Sequence, residues 1–171
     1  GYNFGRGVFE TILVRGKPIF LKEHIERLKR GLEVLGIANP ADENYVLDCL
    51  CRYNIQNCIL KITATEKNTV ISTRQSPYLK EDYLKGFRLK LSRMRRNPYS
   101  HTTYLKSLNY TDNILEREQA LREGFNEVLF LNTIKEVAEG SVSNIFFVKE
   151  ERIFTPEIEC GILDGIVRGW V

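Results

Sequence analysis

Long apolar runs are missing from this chain: no stretch reaches the length a helix needs to cross a bilayer. No secretory leader is visible, and because the first residue is Gly1 rather than Met, the native start is expected to lie upstream. Cysteine is scarce, with four in 171 residues. Cys49, Cys51 and Cys58 fall in a C-x-C-x6-C pattern, which is no zinc-finger spacing, and Cys160 stands apart. Four thiols in a chain of this length do not make a disulfide framework, so buried reduced thiols in a cytoplasmic protein, without a metal, are the expectation. Charge of one sign is also lacking, since 25 basic against 22 acidic side chains leave +3. That balance does not argue for a nucleic-acid partner. There is no P-loop, no glycine-rich dinucleotide fingerprint, no nucleophile elbow, no internal repeat and no low-complexity segment.

What is present reads as a folded chain long enough for a real core. Gly7 to Arg15 is rich in strand formers, Gly16-Lys17 is a two-residue turn, and Pro18 to Leu21 returns as a second strand. Ile25, Leu28, Leu32 and Leu35 then recur at helical spacing, with Gly36 placed to end the helix. Asn39 as N-cap and Pro40 at the first position open a second helix, with Val46, Leu50 and Tyr53 on its buried side. Cys58 to Thr65 and Thr69 to Arg74 are strands joined by Glu66-Lys67-Asn68. Gln75 to Tyr78 is a linker, which divides the chain into domains at residues 1–77 and 78–171. The second contains a strand over Phe87 to Met94, a loop over Arg95 to Ser100, and a helix from about Leu105 to Glu123. Short strands follow over Glu127 to Leu131, Glu136 to Glu139, Asn144 to Lys149 and Arg152 to Thr155. Asp164 caps a closing helix that stops within two turns at Trp170-Val171, an ending that predicts truncation at the C-terminus.

Several residues could carry chemistry. Lys106, near a helix start, could be a desolvated nucleophile or base. Arg27 pairs with Glu23 on the helix surface or, if buried, binds an anion. His24 is a cap or core histidine. Glu139 before Gly140 is a turn carboxylate, and the backbone N–H groups of Ile166 and Val167 at a helix start could hold a phosphate. The basic run Lys90 to Arg96 reads as a solvated strand edge, since no aromatic platforms accompany it.

Taken in order, the segments Gly7-Val-Phe-Glu-Thr, His24-Ile-Glu-Arg-Leu, Lys106-Ser-Leu-Asn, Glu139-Gly-Ser-Val-Ser-Asn and Gly161-Ile-Leu-Asp-Gly-Ile resemble the class IV aminotransferases, the fold-type IV pyridoxal-phosphate enzymes. The resemblance covers essentially the whole chain. It implies an α+β fold, with a small N-terminal α/β domain and an incomplete, β-barrel-like C-terminal domain with helices. It implies pyridoxal 5'-phosphate as cofactor, no metal, a small amino substrate, a homodimer, and no membrane or nucleic-acid partner. Residue by residue, it implies Lys106 as the Schiff-base and proton-transfer residue, Glu139 on the pyridine nitrogen, Arg27 on the phosphate, and the Ile166 and Val167 amides capping that phosphate. Val167 stands where many relatives carry threonine, so the N–H remains without the hydroxyl. Phe9 would line the substrate pocket, and Ser143 and Asn144 would shape the turn beneath the cofactor.

Within the family, Arg96-Asn-Pro98 ahead of Lys106-Ser-Leu-Asn-Tyr110 looks most like the aminodeoxychorismate lyases of folate biosynthesis. Branched-chain and D-amino-acid aminotransferases are the alternative. The Arg-x-His motif of the D-amino-acid enzymes is replaced here by Thr63-Ala-Thr-Glu-Lys-Asn68. The resemblance also implies that a leading strand and part of the second domain lie outside the chain. These residues alone are therefore expected to bind the cofactor weakly or not at all, and a non-catalytic truncated remnant is a further alternative.

Overall fold

A computed structural model describes residues 4–39 and 41–171, and these cluster into two compact units. The first comprises residues through Leu79 together with Lys106–Leu108, and the second holds Lys80–Leu105 and Asn109–Val171.

The first unit is a four-stranded antiparallel sheet in the order β2-β1-β3-β4, formed by β1 (Gly7–Arg15), β2 (Lys17–Pro18), β3 (Cys58–Thr65) and β4 (Thr69–Arg74). Side chains alternate across β1, so Val8, Ile12 and Val14 share a face with Leu60, Ile62 and Ala64 of β3. Helices α1 (Leu21–Val34) and α2 (Glu43–Arg52) complete this core with Ile25, Leu28, Leu32, Val46 and Leu50. Gly31 of α1 meets β1 closely, for a Cβ there would lie 2.9 Å from Val8 Cγ1. The return strand expected through Leu21 stops at Pro18, because Phe20 turns into the left-handed region (φ 55°) and α1 begins at Leu21. Asp42, not Asn39, caps α2 by accepting from the Tyr45 N–H at 2.8 Å. Asn39 instead accepts from Ala41 N and Thr69 Oγ1 and donates to the Thr65 carbonyl, tying the approach of α2 to the β3–β4 hairpin. Pro40 lies outside the described residues. Tyr53, expected on the buried side, is 69% exposed, because the helix ends before it.

The second unit pairs β5 (Leu89–Arg96) parallel to β6 (Glu127–Asn132), with β7 (Val137–Gly140) antiparallel on the far side of β6. A short helix α3 (Lys80–Lys85), absent from the sequence reading, precedes β5. The connection between the parallel strands carries α4 (Thr111–Arg122), which packs on β6 over Ala120, Val128 and Phe130. A hairpin of β8 (Phe147–Lys149) and β9 (Arg152–Phe154), a 3₁₀ turn over Ile158–Cys160 and helix α5 (Ile166–Trp170) follow β7. The sheets do not close into a barrel among the described residues. Sequence misplaced three boundaries ahead of β6: β5 runs from Leu89 through Arg96 rather than from Phe87 to Met94, and α4 starts at Thr111 rather than near Leu105. Of the four free thiols, Cys58 is buried, but Cys51 is exposed on the outer face of α2. No helix among the described residues is long and apolar enough to cross a membrane.

Candidate active site

Lys106 does not start a helix. It belongs to an extended segment that runs along the first residues of β1: Phe9 N donates to the Lys106 carbonyl and Leu108 N donates to the Gly7 carbonyl, each at 2.9 Å, while Ser107 bridges Val8. Gly7 makes this possible, since a Cβ on it would fall 2.9 Å from Leu108 Cδ1 and 2.8 Å from the Ala64 carbonyl oxygen. The Lys106 ammonium stands 4.7 Å from the centroid of the Phe9 ring, and Lys61 of β3 stands 4.8 Å from the same ring. A cation over an aromatic face is attracted by the ring quadrupole, which gives the lysine a defined seat. Phe9 and Lys106 are therefore brought together.

The next residue of β1, Glu10, points to the opposite face, into the core beneath α1. It has no solvent exposure. Arg27 grips it with both prongs, Nε to Oε1 and Nη2 to Oε2 at 2.7 Å each, and His24 Nδ1 lies 2.6 Å from Oε2. Residues three apart on a helix share a face, which is why both α1 side chains reach one carboxylate. Burial alone would raise the Glu10 carboxyl. The hydrogen bonds from Arg27 and His24, reinforced by their charge, outweigh it and hold Glu10 below the usual carboxylate range. The surface pair of Arg27 with Glu23 is thus replaced by a buried pair with Glu10. Sequence reasoning assigned Glu10 nothing, although it falls in phase with Val8, Ile12 and Val14, and an acid in the phase of a core face requires a cation.

In the second unit, Glu139 lies near the end of β7 and is 4% exposed. Arg96 Nη2 donates to Oε1, and the backbone N–H of Leu163 donates to Oε2 at 2.9 Å. The Leu163 carbonyl in turn accepts from Asn144 Nδ2 at 3.0 Å, and Asn144 packs so closely on Gly165 that no Cβ fits there. Gly165 is the N-cap of α5, so Asn144 and Leu163 tie the Glu139 carboxylate to the turn that presents the Ile166 and Val167 amides. Asp164, expected as the cap, does not hold that position; it lies 3.6 Å from Arg168 Nη1 instead. Ser143 and Asn144 are structural, as read. The turn they belong to closes on Glu127, another residue the sequence did not single out: its carboxylate accepts from Ser141 N, Ser141 Oγ, Val142 N and Ser143 Oγ. The Ser141 carbonyl receives the Tyr110 phenol at 2.6 Å and Asn113 Nδ2 at 2.7 Å. Burial first, then the negative charge of Glu139, pushes the Tyr110 phenol up to about 12. The basic run of β5 is engaged within the unit, with Lys90 on Glu123 at 2.7 Å and Arg95 on the Ser92 carbonyl at 2.7 Å.

Lys106 seated on the Phe9 ring thus belongs to the first unit, and the buried Glu139 carboxylate tied to the start of α5 belongs to the second. The family model for class IV amino-transferases matches residues 7–171. The chain belongs to the class IV aminotransferase family. It is 33% identical to the aminodeoxychorismate lyase of Bacillus subtilis over all of this chain, and it spans 65% of that relative's length. Among solved structures it is similar to a T.th. branched-chain amino acid aminotransferase with pyridoxamine 5'-phosphate, at a TM-score of 0.86 and 26% identity over 99% of this chain and 64% of that one. The branched-chain aminotransferase of Thermoproteus uzoniensis with norvaline gives a TM-score of 0.84 at 27% identity, covering 98% of this chain and 64% of that one. This member of the family has the α+β, fold-type IV architecture of these solved structures.

Proposed function

We propose that the protein is a pyridoxal-phosphate enzyme acting as a 4-amino-4-deoxychorismate lyase, giving 4-aminobenzoate and pyruvate for folate biosynthesis. The observation that carries this reading is the similarity to the B. subtilis lyase along the whole chain, combined with Lys106 seated on Phe9. The residues fit the cofactor chemically: an amine, a buried carboxylate held by two donors, an arginine, and first-turn amides of a helix. Lys106 would hold the cofactor through its amine, Glu139 would face the ring nitrogen, and the Ile166 and Val167 amides with Arg27 would take the phosphate. Nε and Nη2 of Arg27 are already engaged by Glu10. Arg27 would then act on the phosphate chiefly as a fixed positive charge.

When bound, pyridoxal phosphate supplies an electron sink for the carbon that bears the substrate's amino group. Lys106 Nζ would remove the proton from that carbon. β-Elimination would break the ring C–O bond, release enolpyruvate, which takes up a proton to become pyruvate, and leave an aromatic ring. Phe9 would border the substrate on the side of Lys106. Lys106→Ala is expected to reduce turnover at least about 10²-fold, the low end of what a positioned general base contributes. Supplying 4-amino-4-deoxychorismate and measuring pyruvate and 4-aminobenzoate tests the reading, and borohydride reduction with peptide mapping should place a pyridoxyl adduct on Lys106. Lack of any adduct would favour a non-catalytic remnant.

A second reading, an aminotransferase passing an amino group from a branched-chain or D-amino acid to 2-oxoglutarate, is favoured by the similarity to the two branched-chain enzymes. Glutamate formation without pyruvate would select it. The proposal includes a cytoplasmic homodimer built from two-domain subunits, which light scattering checks for mass.

A further inference from the structure

Arg96 is given no task by the chemistry above, yet its side chain is only 14% exposed and sits directly on Glu139. Three contacts fix it. Nη2 donates to Glu139 Oε1, Nη1 donates to Asn113 Oδ1 at 3.2 Å, and the guanidinium carbon lies 5.5 Å from the centroid of the Phe130 ring. Asn113 is itself 3% exposed and anchored to the Ser141 carbonyl, the same atom that receives Tyr110. Meanwhile the Arg96 Nε is buried without a hydrogen-bond partner among the described residues. A guanidinium placed to satisfy its own donors would not leave one orphaned. This one is placed where its charge meets Glu139.

The consequence is electrostatic. Burial favours the neutral form of a carboxyl group, and a cation alongside it favours the anion. If a buried carboxylate and a pyridine nitrogen share one proton, a low-dielectric surrounding favours the uncharged arrangement of acid and bare nitrogen. A fixed cation on the carboxylate reverses that preference. We propose that Arg96 is a positioning residue that holds Glu139 as a carboxylate, so that the proton shared with the cofactor's ring nitrogen rests on the nitrogen. This rests on the pyridoxal-phosphate reading of the site. Oε1 is set by Arg96 and Oε2 by the Leu163 N–H, so the carboxylate plane is fixed as well as its charge.

The test is ¹⁵N NMR of the protein loaded with pyridoxal phosphate labelled at the ring nitrogen, with borohydride adduct mapping on the same samples. The wild type should show a protonated ring nitrogen. Arg96→Gln should shift the protonated-to-unprotonated ratio at least about tenfold toward the bare nitrogen, the equivalent of one pKa unit. Arg96→Lys, which keeps the charge, should fall between. An unchanged resonance in an Arg96→Gln protein that still carries the adduct would overturn the proposal alone. A wild type that takes up no cofactor would overturn the site reading and the proposal with it. Should Arg96→Gln not fold, Asn113→Ala loosens the guanidinium while keeping every charge. A partial shift there supports the proposal, and no shift overturns it.

Discussion

Replacing Glu10 by glutamine removes the charge that Arg27 and His24 share inside the first core. Breaking one side of a buried ion pair costs about 3–5 kcal/mol, because the remaining charge stays uncompensated. The depressed Glu10 carboxyl sets the sign with pH. Its contribution is complete above the ordinary carboxylate range and is lost as pH falls through the folded value. The gap between wild type and Glu10→Gln should therefore be full at neutral pH and narrow below about pH 4, as followed by denaturant midpoints across pH. At this scale the sequence was legible where a residue's role follows from its neighbours in the chain. Gly36, read as the end of α1 from its place after the last apolar residue, sits there in the left-handed region (φ 62°). Glu10 and Glu127 were not read, because their partners lie on other elements: α1 for Glu10, and the loop after β7 for Glu127. An isolated acid in a strand carries no local sign of a cation brought in from a distant helix.

Among elements, periodicity located β1, β3, β4 and α1 well, since strand formers and a regular apolar face mark each of them. It failed where that pattern is weak. Helix α4 buries only Asn113 and Ala120, and its Ile114 and Leu115 are exposed, so no regular apolar face marked its start and the preceding residues of the lysine segment were drawn into it. The cap of α2 was misread because Asn39 and Asp42 are both good capping residues, and tertiary bonds to Thr65 and Thr69 claim the first. Asp42→Ala should accordingly lower stability by about 1 kcal/mol, the usual worth of an N-cap, measurable as a shift in thermal midpoint. Gly7→Ala should cost about 1–3 kcal/mol through overpacking against Ala64 and Leu108. Hydrogen exchange at the amides of Phe9 and Leu108 should quicken as the lysine segment lifts from β1.

On the scale of the whole molecule, the sequence reading placed a linker at Gln75 to Tyr78 and did not foresee that three residues beyond it, Lys106–Leu108, group with the first unit. Their pairing with β1 is backbone hydrogen bonding, which leaves no pattern in side chains. A protease nick between Gln75 and Tyr78 is expected to leave pieces that co-elute from a native sizing column and separate in denaturant.

The same out-of-order strand has a consequence for synthesis. Chains emerge from the ribosome N-terminus first, at about 5–20 residues per second, and domains tend to fold as they appear. The first unit could assemble its sheet and helices once Leu79 is free, yet Gly7 and Phe9 would still await the partners that Lys106 and Leu108 bring. For that interval β1 presents its unfinished end to the cell, and the arrival of Lys106 and its two neighbours completes the unit.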